Sequence, residues 1–175
     1  NREAKKLAEE QKIDIKFYEL NLDIDFSSSR IRGSVTVNGV IGNIYPDFIE
    51  LDLYDNMTVD SILHNDIPIS YVHENDMLKI PISDITLNNE NLFSLTIFYQ
   101  GTPDHCGAGG FKFDEHQNIG HVWTLSEAYC ARSWWPCKDD PSDKADSVNI
   151  IISVPLEPAY IVASNGLLSL SLIHI

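Results

Sequence analysis

Chemistry-bearing side chains crowd into one stretch, TLSEAYCARSWWPCKDDPSDKADS, from Thr124 to Ser147. It carries the carboxylate of Glu127, the guanidinium of Arg132, the thiols Cys130 and Cys137, and the acidic pair Asp139-Asp140 ahead of Pro141. A carboxylate held in an ordered setting forms charge-assisted hydrogen bonds to cations, roughly twice as strong as neutral ones. Trp134-Trp135-Pro136 buries large apolar area and ends on a residue of fixed φ, so the stretch reads as a packed loop. Asp140 as N-cap and Pro141 at the first helical position would start a single helical turn. On these residues alone the stretch is an ordered loop, pinned by aromatics and capped by carboxylates.

Other donor types are scattered. Asp104, His105, Cys106, Asp114, Glu115 and His116 form a loose group, but no two of them have a familiar ligand spacing, so a polar surface loop is expected there. His116 and His121 are five apart with Gly120 between them, which does not place both on one helix face. There is no HExxH, no glycine-rich phosphate loop and no G-x-S-x-G nucleophile elbow. No metal ligand is assigned to this chain.

The elements that must hold this loop follow a period of two. Tyr18 to Phe26 alternates apolar with acidic or amide residues, the mark of a half-buried strand. Ser27-Ser28-Ser29 makes a turn, and Arg30 to Ile41 returns as a second strand rich in β-branched residues. Further strands are expected at Phe48–Tyr54, Ser61–Leu63, Ile67–Val72, Met77–Ile80, Leu92–Tyr99, Val148–Val154 and Tyr160–Ala163. Many short strands with polar turns and no helical period predict an all-β antiparallel sandwich or barrel-like sheet, with one long ordered loop. Between Gln100 and Val122 the alternation reads as broken, and GTPDHCGAGGF is expected to be an irregular excursion.

With 175 residues the chain suits one domain. A net charge of -14 with no basic stripe excludes a phosphate-backbone partner. No apolar run reaches the ~18 residues of a membrane-spanning helix. Three cysteines are present without Cys-x-x-Cys spacing; Cys130 and Cys137 read as buried thiols or as one local bridge. Residues 1–12 are expected to be a leader or linker whose true start is missing, and 13–167 the β-domain. The final LSLIHI is what a common transposase-based sequencing adapter gives when translated. Residues 168–175 are therefore expected to be a non-native tail, with the natural sequence continuing.

The loop also resembles the aminopeptidase N family of zinc metallopeptidases. The family's pattern falls on Glu127, Ala131-Arg132, Trp135-Pro136-Cys137, Asp139-Asp140-Pro141 and Lys144-Ala145. Tyr18 to Asp25 with Ile31-Arg32-Gly33-Ser34-Val35 is similar to the opening hairpin of its N-terminal, saddle-shaped β-domain. Tyr99-Gln100-Gly101, Gly109-Gly110-Phe111 and Val162-Ala163-Ser164-Asn165-Gly166 match further family segments in order, and the double Trp with Lys138-Asp139-Asp140 resembles the bacterial branch.

The resemblance implies a parent enzyme that removes N-terminal residues from peptides. Its zinc would be held by HExxH and a later Glu in a following catalytic domain, so this chain would lack the catalytic residues. Zinc there lowers the pKa of bound water toward ~7. Within this chain the resemblance assigns one functional residue, Glu127, as the anchor of the substrate's free α-ammonium. Arg132, Trp134, Trp135, Pro136, Cys137, Asp140 and Pro141 become the scaffold of its loop, with Asp139 and Asp140 capping the turn beyond it. At Leu125 the sequence departs from the Gln of many relatives, which removes a second polar contact. The implied partners are peptides and the catalytic domain, and a periplasmic or exported location is favoured over a cytoplasmic one. The other readings are a non-catalytic family relative acting as a scaffold, and a free-standing sandwich that binds glycans or peptides.

Overall fold

The computed structural model describes residues 12–141 and 143–169. The strands are β1 (Ile13–Asp25), β2 (Arg30–Ile41), β3 (Phe48–Asp52), β4 (Met57–His64), β5 (Ile67–Pro68) and β6 (Val72–Glu74). There follow β7 (Met77–Pro81), β8 (Leu92–Gly101), β9 (His105–Cys106), β10 (Gly109–His116), β11 (Ile119–Leu125) and β12 (Ser147–Ser153). Six of them form one sheet in the order β12-β1-β2-β8-β4-β5, and two three-stranded sheets run β3-β7-β6 and β11-β10-β9. Of the two expected end segments, residues 1–11 and 170–175 lie outside the described residues.

Alternation decides which side of each strand is buried. In β1, Tyr18, Leu20, Leu22 and Ile24 are buried while Asn21, Asp23 and Asp25 are exposed. In β2, Val35, Val37 and Ile41 turn inward, and β8 adds Phe93, Leu95, Ile97 and Tyr99. Ile49 and Leu51 of β3 and Leu78 and Ile80 of β7 belong to the same apolar cluster, so the six-stranded sheet and the β3-β7-β6 sheet share one core. Slipping any of these strands by one residue would exchange its acidic and apolar faces, which fixes the register.

The all-β class stands, and four details differ from the sequence reading. The excursion expected between Gln100 and Val122 contains the β10–β11 hairpin, paired from Gly110↔Leu125 to His116↔Ile119. Its turn residues Gln117 and Asn118 have φ of 52° and 60°, the left-handed pair that a two-residue hairpin turn needs. The expected strand Ile67–Val72 is interrupted at residues 69–71 and becomes β5 and β6. No strand forms at Tyr160–Ala163. Finally, β12 pairs with β1 in parallel, from Phe17↔Ser147 to Asp23↔Ser153, so the sheet is antiparallel with one parallel edge.

Candidate functional site

Strand β11 carries the chain to Leu125, where its pairing with Gly110 ends. Glu127 therefore lies just past a strand, in a turn, and not on the strand itself. The turn closes through Cys130 N–H donating to Ser126 O at 3.4 Å, and a 3-10 turn comes next at Ala131–Ser133. The Glu127–Ala128 peptide is cis. Glu127 is exposed. Among the described residues no hydrogen bond or ion pair reaches its carboxylate, so its charge is free to meet a ligand from outside.

The segment after Glu127 is anchored on several sides. Trp134 is buried, and its indole N–H donates to Ser126 Oγ at 3.1 Å, one residue before Glu127. Trp134 packs on Phe111 at 5.4 Å and on Trp135 at 5.9 Å, and Trp135 meets Tyr18 edge-on at 4.9 Å. These rings tie the loop to β10 on one side and β1 on the other, burying the apolar area that offsets its ordering. Pro136 and Cys137 are buried, and Cys137 exchanges both backbone hydrogen bonds with Asp52 on β3, at 2.7 and 3.1 Å. Lys138 N–H donates to Tyr18 Oη at 3.0 Å, and its ammonium reaches Ile13 O at 2.9 Å and pairs with Asp143.

Arg132 is the electrostatic centre of this anchor and is not a partner of Glu127. Its Nη1 lies 3.4 Å from Asp52 Oδ1, its Nε lies 3.5 Å from Asp139 Oδ2, and its guanidinium sits 5.9 Å from the centre of the Tyr54 ring. Burial pushes the Asp139 carboxyl above its ordinary value, opposed by the backbone amides of Arg132 and Ala131 and by the Arg132 charge. Among the described residues no capping bond from the Asp139 carboxylate to the following turn is found. Instead Asp139 pairs with Arg132, and its own N–H donates to Asp52 Oδ2 at 3.0 Å. Beyond it, Asp143 N–H donates to Asp140 O at 3.0 Å, closing a turn that spans the expected Asp140-Pro141 start. Asp140 is exposed and Pro141 half-buried; Ser142, part of the expected cap, lies outside the described residues.

The cysteines differ from expectation. The bridge joins Cys106 to Cys130, with Cα atoms 5.4 Å apart, and Cys137 is a buried free thiol. Burial raises the Cys137 thiol well above its ordinary value, with the Asp139 and Asp52 charges adding to the effect. A local Cys130–Cys137 bridge is thereby excluded, because Cys137 faces β3 and Cys130 faces β9. Sequence reasoning also missed Asp52, Tyr18 and Ser126, the partners of the loop. They sit in ordinary strand or turn contexts, and no local signal separates them from their neighbours.

An open cleft of about 420 Å³ adjoins the turn, lined by Ala128, Ala131, Trp135, Asp139, Pro141 and Val148 among others. Among the described residues no group of three or more His, Cys, Asp or Glu could hold a metal ion. In the loose donor group, Cys106 is committed to the disulfide, and His121 Nε2 stands 4.0 Å from Asp114 Oδ2. The residues present therefore do not fit a zinc centre, and no step through zinc is assigned to them. What they can do is present one unpaired carboxylate on a braced turn; Glu127 itself does not line the cleft, although its neighbour Ala128 does.

Among known proteins, a model of the peptidase M1 N-terminal domain matches residues 15–170. Leucine aminopeptidase 2 of Vanderwaltozyma polyspora is 30% identical over 145 residues, covering 77% of this chain and 21% of that protein. A mutant M1 zinc metallopeptidase from Deinococcus radiodurans, bound to a Tyr-Ser-Ala substrate, superposes with a TM-score of 0.67 at 22% identity over 83% of this chain and 33% of its own. Leukotriene A4 hydrolase from Saccharomyces cerevisiae gives 0.66 at 23% identity over 83% of this chain and 24% of its own. At those identities the two structures speak for the fold alone. The chain thus spans about a fifth of its curated relative. A bacterium and two yeasts supply these relatives, so they favour no branch.

Proposed function

Since the chain belongs to the peptidase M1 N-terminal domain family, we propose that it is the N-terminal domain of a zinc-dependent aminopeptidase and that Glu127 anchors the α-ammonium of a peptide substrate. One observation carries this reading: Glu127 is exposed and unpaired, while the turn that bears it is fixed on both sides. An exopeptidase must tell a terminal ammonium from an amide N–H. A carboxylate free of internal partners does so, because the ammonium brings it a full opposite charge as well as a hydrogen bond, whereas a neutral amide N–H brings the hydrogen bond alone. The net charge of -14 adds a field that draws the cationic end of a peptide toward the surface.

In this reading zinc and its ligands belong to a separate catalytic domain, where the metal supplies the activated water. This chain contributes the carboxylate and its bracing. The Deinococcus relative was crystallised with Tyr-Ser-Ala, which supports short peptides as the substrate class. The disulfide supports an exported location, since such bridges persist in oxidising compartments.

The test uses the full-length protein, assayed on amino-acid anilides with free and with acetylated N-termini. Glu127→Ala is expected to cost about 2–5 kcal/mol of transition-state binding on free substrates, the usual loss when one partner of a charge-assisted pair is removed. Glu127→Gln should lose less, and zinc content should be unchanged in both. Wild-type kcat/KM in the Ala variant would remove Glu127 from the site.

A further inference from the structure

The turn that presents Glu127 lies beyond the last rung of its strand and depends on a few contacts for its position. On the upstream side, the Trp134 indole holds Ser126 by one hydrogen bond. On the downstream side, Cys130 is joined covalently to Cys106 on the two-residue strand β9. Between these two clamps, Glu127, Ala128 and Tyr129 are all exposed, and the backbone closes through the 3.4 Å bond from Cys130 N–H to Ser126 O. A bond of that length contributes little to placement.

The surroundings are shaped to bring the two sulfurs together. Cys106 pairs with Gly109 and His105 with Gly110, which sets β9 against the start of β10. Gly110 has φ +92°, and a Cβ there would stand 2.9 Å from both Asp104 O and Ser133 Oγ. The missing side chain thus lets β9, β10 and the Ala131–Ser133 turn approach closely. Ser133 is fully buried and its hydroxyl donates to Cys130 O at 2.9 Å, so the carbonyl next to the bridge is also held.

We propose that the Cys106–Cys130 disulfide is a positioning element for substrate amine recognition: it fixes the exposed Glu127 turn against β9, and its reduction releases that turn. The proposal rests on the reading of Glu127 as the ammonium anchor. Reduction by a phosphine is balanced. The phosphorus attacks one sulfur and expels the other as a thiolate, water then displaces the first sulfur, and two thiols and one phosphine oxide result. The phosphine supplies both electrons, and water supplies the oxygen and both protons.

The experiment again uses the full-length protein: wild type, Cys106→Ser/Cys130→Ser, Glu127→Ala and the triple variant. Removing the bridge should raise KM for free-amine anilides roughly tenfold, within the roughly hundredfold that an ångström of misplacement can cost, with kcat within about twofold. Tris(2-carboxyethyl)phosphine should reproduce that shift in the wild type and do nothing to the double-serine variant. In the Glu127→Ala background, bridge removal should add no further loss, which a merely structural role would not satisfy. Hydrogen exchange gives a second measurement, with residues 126–130 deprotected on reduction and β8 unchanged. An effective Glu127→Ala with a silent bridge overturns the positioning role alone, and so does equal loss in both backgrounds or deprotection of β8. A silent Glu127→Ala overturns the amine anchor itself.

Discussion

Asp25 closes β1 with a cluster of short contacts. Its Oδ1 accepts from Ser27 N–H at 2.9 Å and from Ser27 Oγ at 2.6 Å, and its Oδ2 accepts from Ser28 Oγ at 2.5 Å. The Ser27 hydroxyl first, and then that of Ser28, lower the carboxyl to about 2. In the unfolded chain the group titrates near ~3.9. A depressed folded pKa means that the anion is held better in the fold. Its contribution is therefore complete above the unfolded value and disappears as pH falls toward 2. An NMR titration should find the Asp25 carboxyl still ionised at about pH 3, between those two values, and Asp25→Asn should remove its share of the acid sensitivity. Asp25 and the serines beside it are legible as a turn, because the signal is local. Glu127 stands out as a candidate only through the register of the surrounding motif. The Cys106–Cys130 pair is not legible at all, since 24 residues separate two thiols that only the folded hairpin brings together.

At the level of elements, period-two alternation locates β2 to the residue and β3, β7, β8 and β12 closely, but finds only part of β1 and β4, which start at Ile13 and Met57, well before the expected Tyr18 and Ser61. It fails at the β10–β11 hairpin, where Gly107, Gly109 and Gly110 suggest irregularity. These glycines instead serve different local purposes. A Cβ at Gly109 would meet Leu125 O at 2.4 Å, against the facing strand, whereas one at Gly107 would meet nothing within 4 Å. Gly109→Ala should thus cost about 2–3 kcal/mol through forced separation of β10 from β11. Gly107→Ala should cost only about 1 kcal/mol, for its left-handed φ of 59°. Urea unfolding with constant slope would measure both; equal midpoints for the two variants would contradict the clash. The parallel direction of β12 is likewise illegible, because alternation says which face is buried and nothing about which neighbour a strand selects.

For the molecule as a whole, the weak point is the edge formed by β12. Val148 is 50% exposed, Ile150 40% and Ile151 47%, and among the described residues no strand pairs with the outer side of β12. Leu156, Ile161 and Val162, which follow the strand in sequence, are exposed as well. An open apolar edge is a template for association. The net charge of -14 opposes it by mutual repulsion, over a Debye length of about 10 Å at roughly 0.1 M salt. The chain by itself should therefore self-associate more as salt rises, and Ile150→Lys/Ile151→Lys should keep it monomeric. Sedimentation velocity at low and high salt would show this, and salt-independent monomers of the wild type would refute it.

The parallel pairing of β1 and β12 also has a mechanical side. A pull between the start of β1 and the end of β12 acts along the strands, and all seven rungs from Phe17↔Ser147 to Asp23↔Ser153 share the load. Antiparallel partners tugged from adjacent ends would peel one rung at a time. The outermost ribbon of this sheet therefore resists stretching as a unit, and a neighbouring body hauling on its far end would drag the sheet along before stripping the ribbon from it.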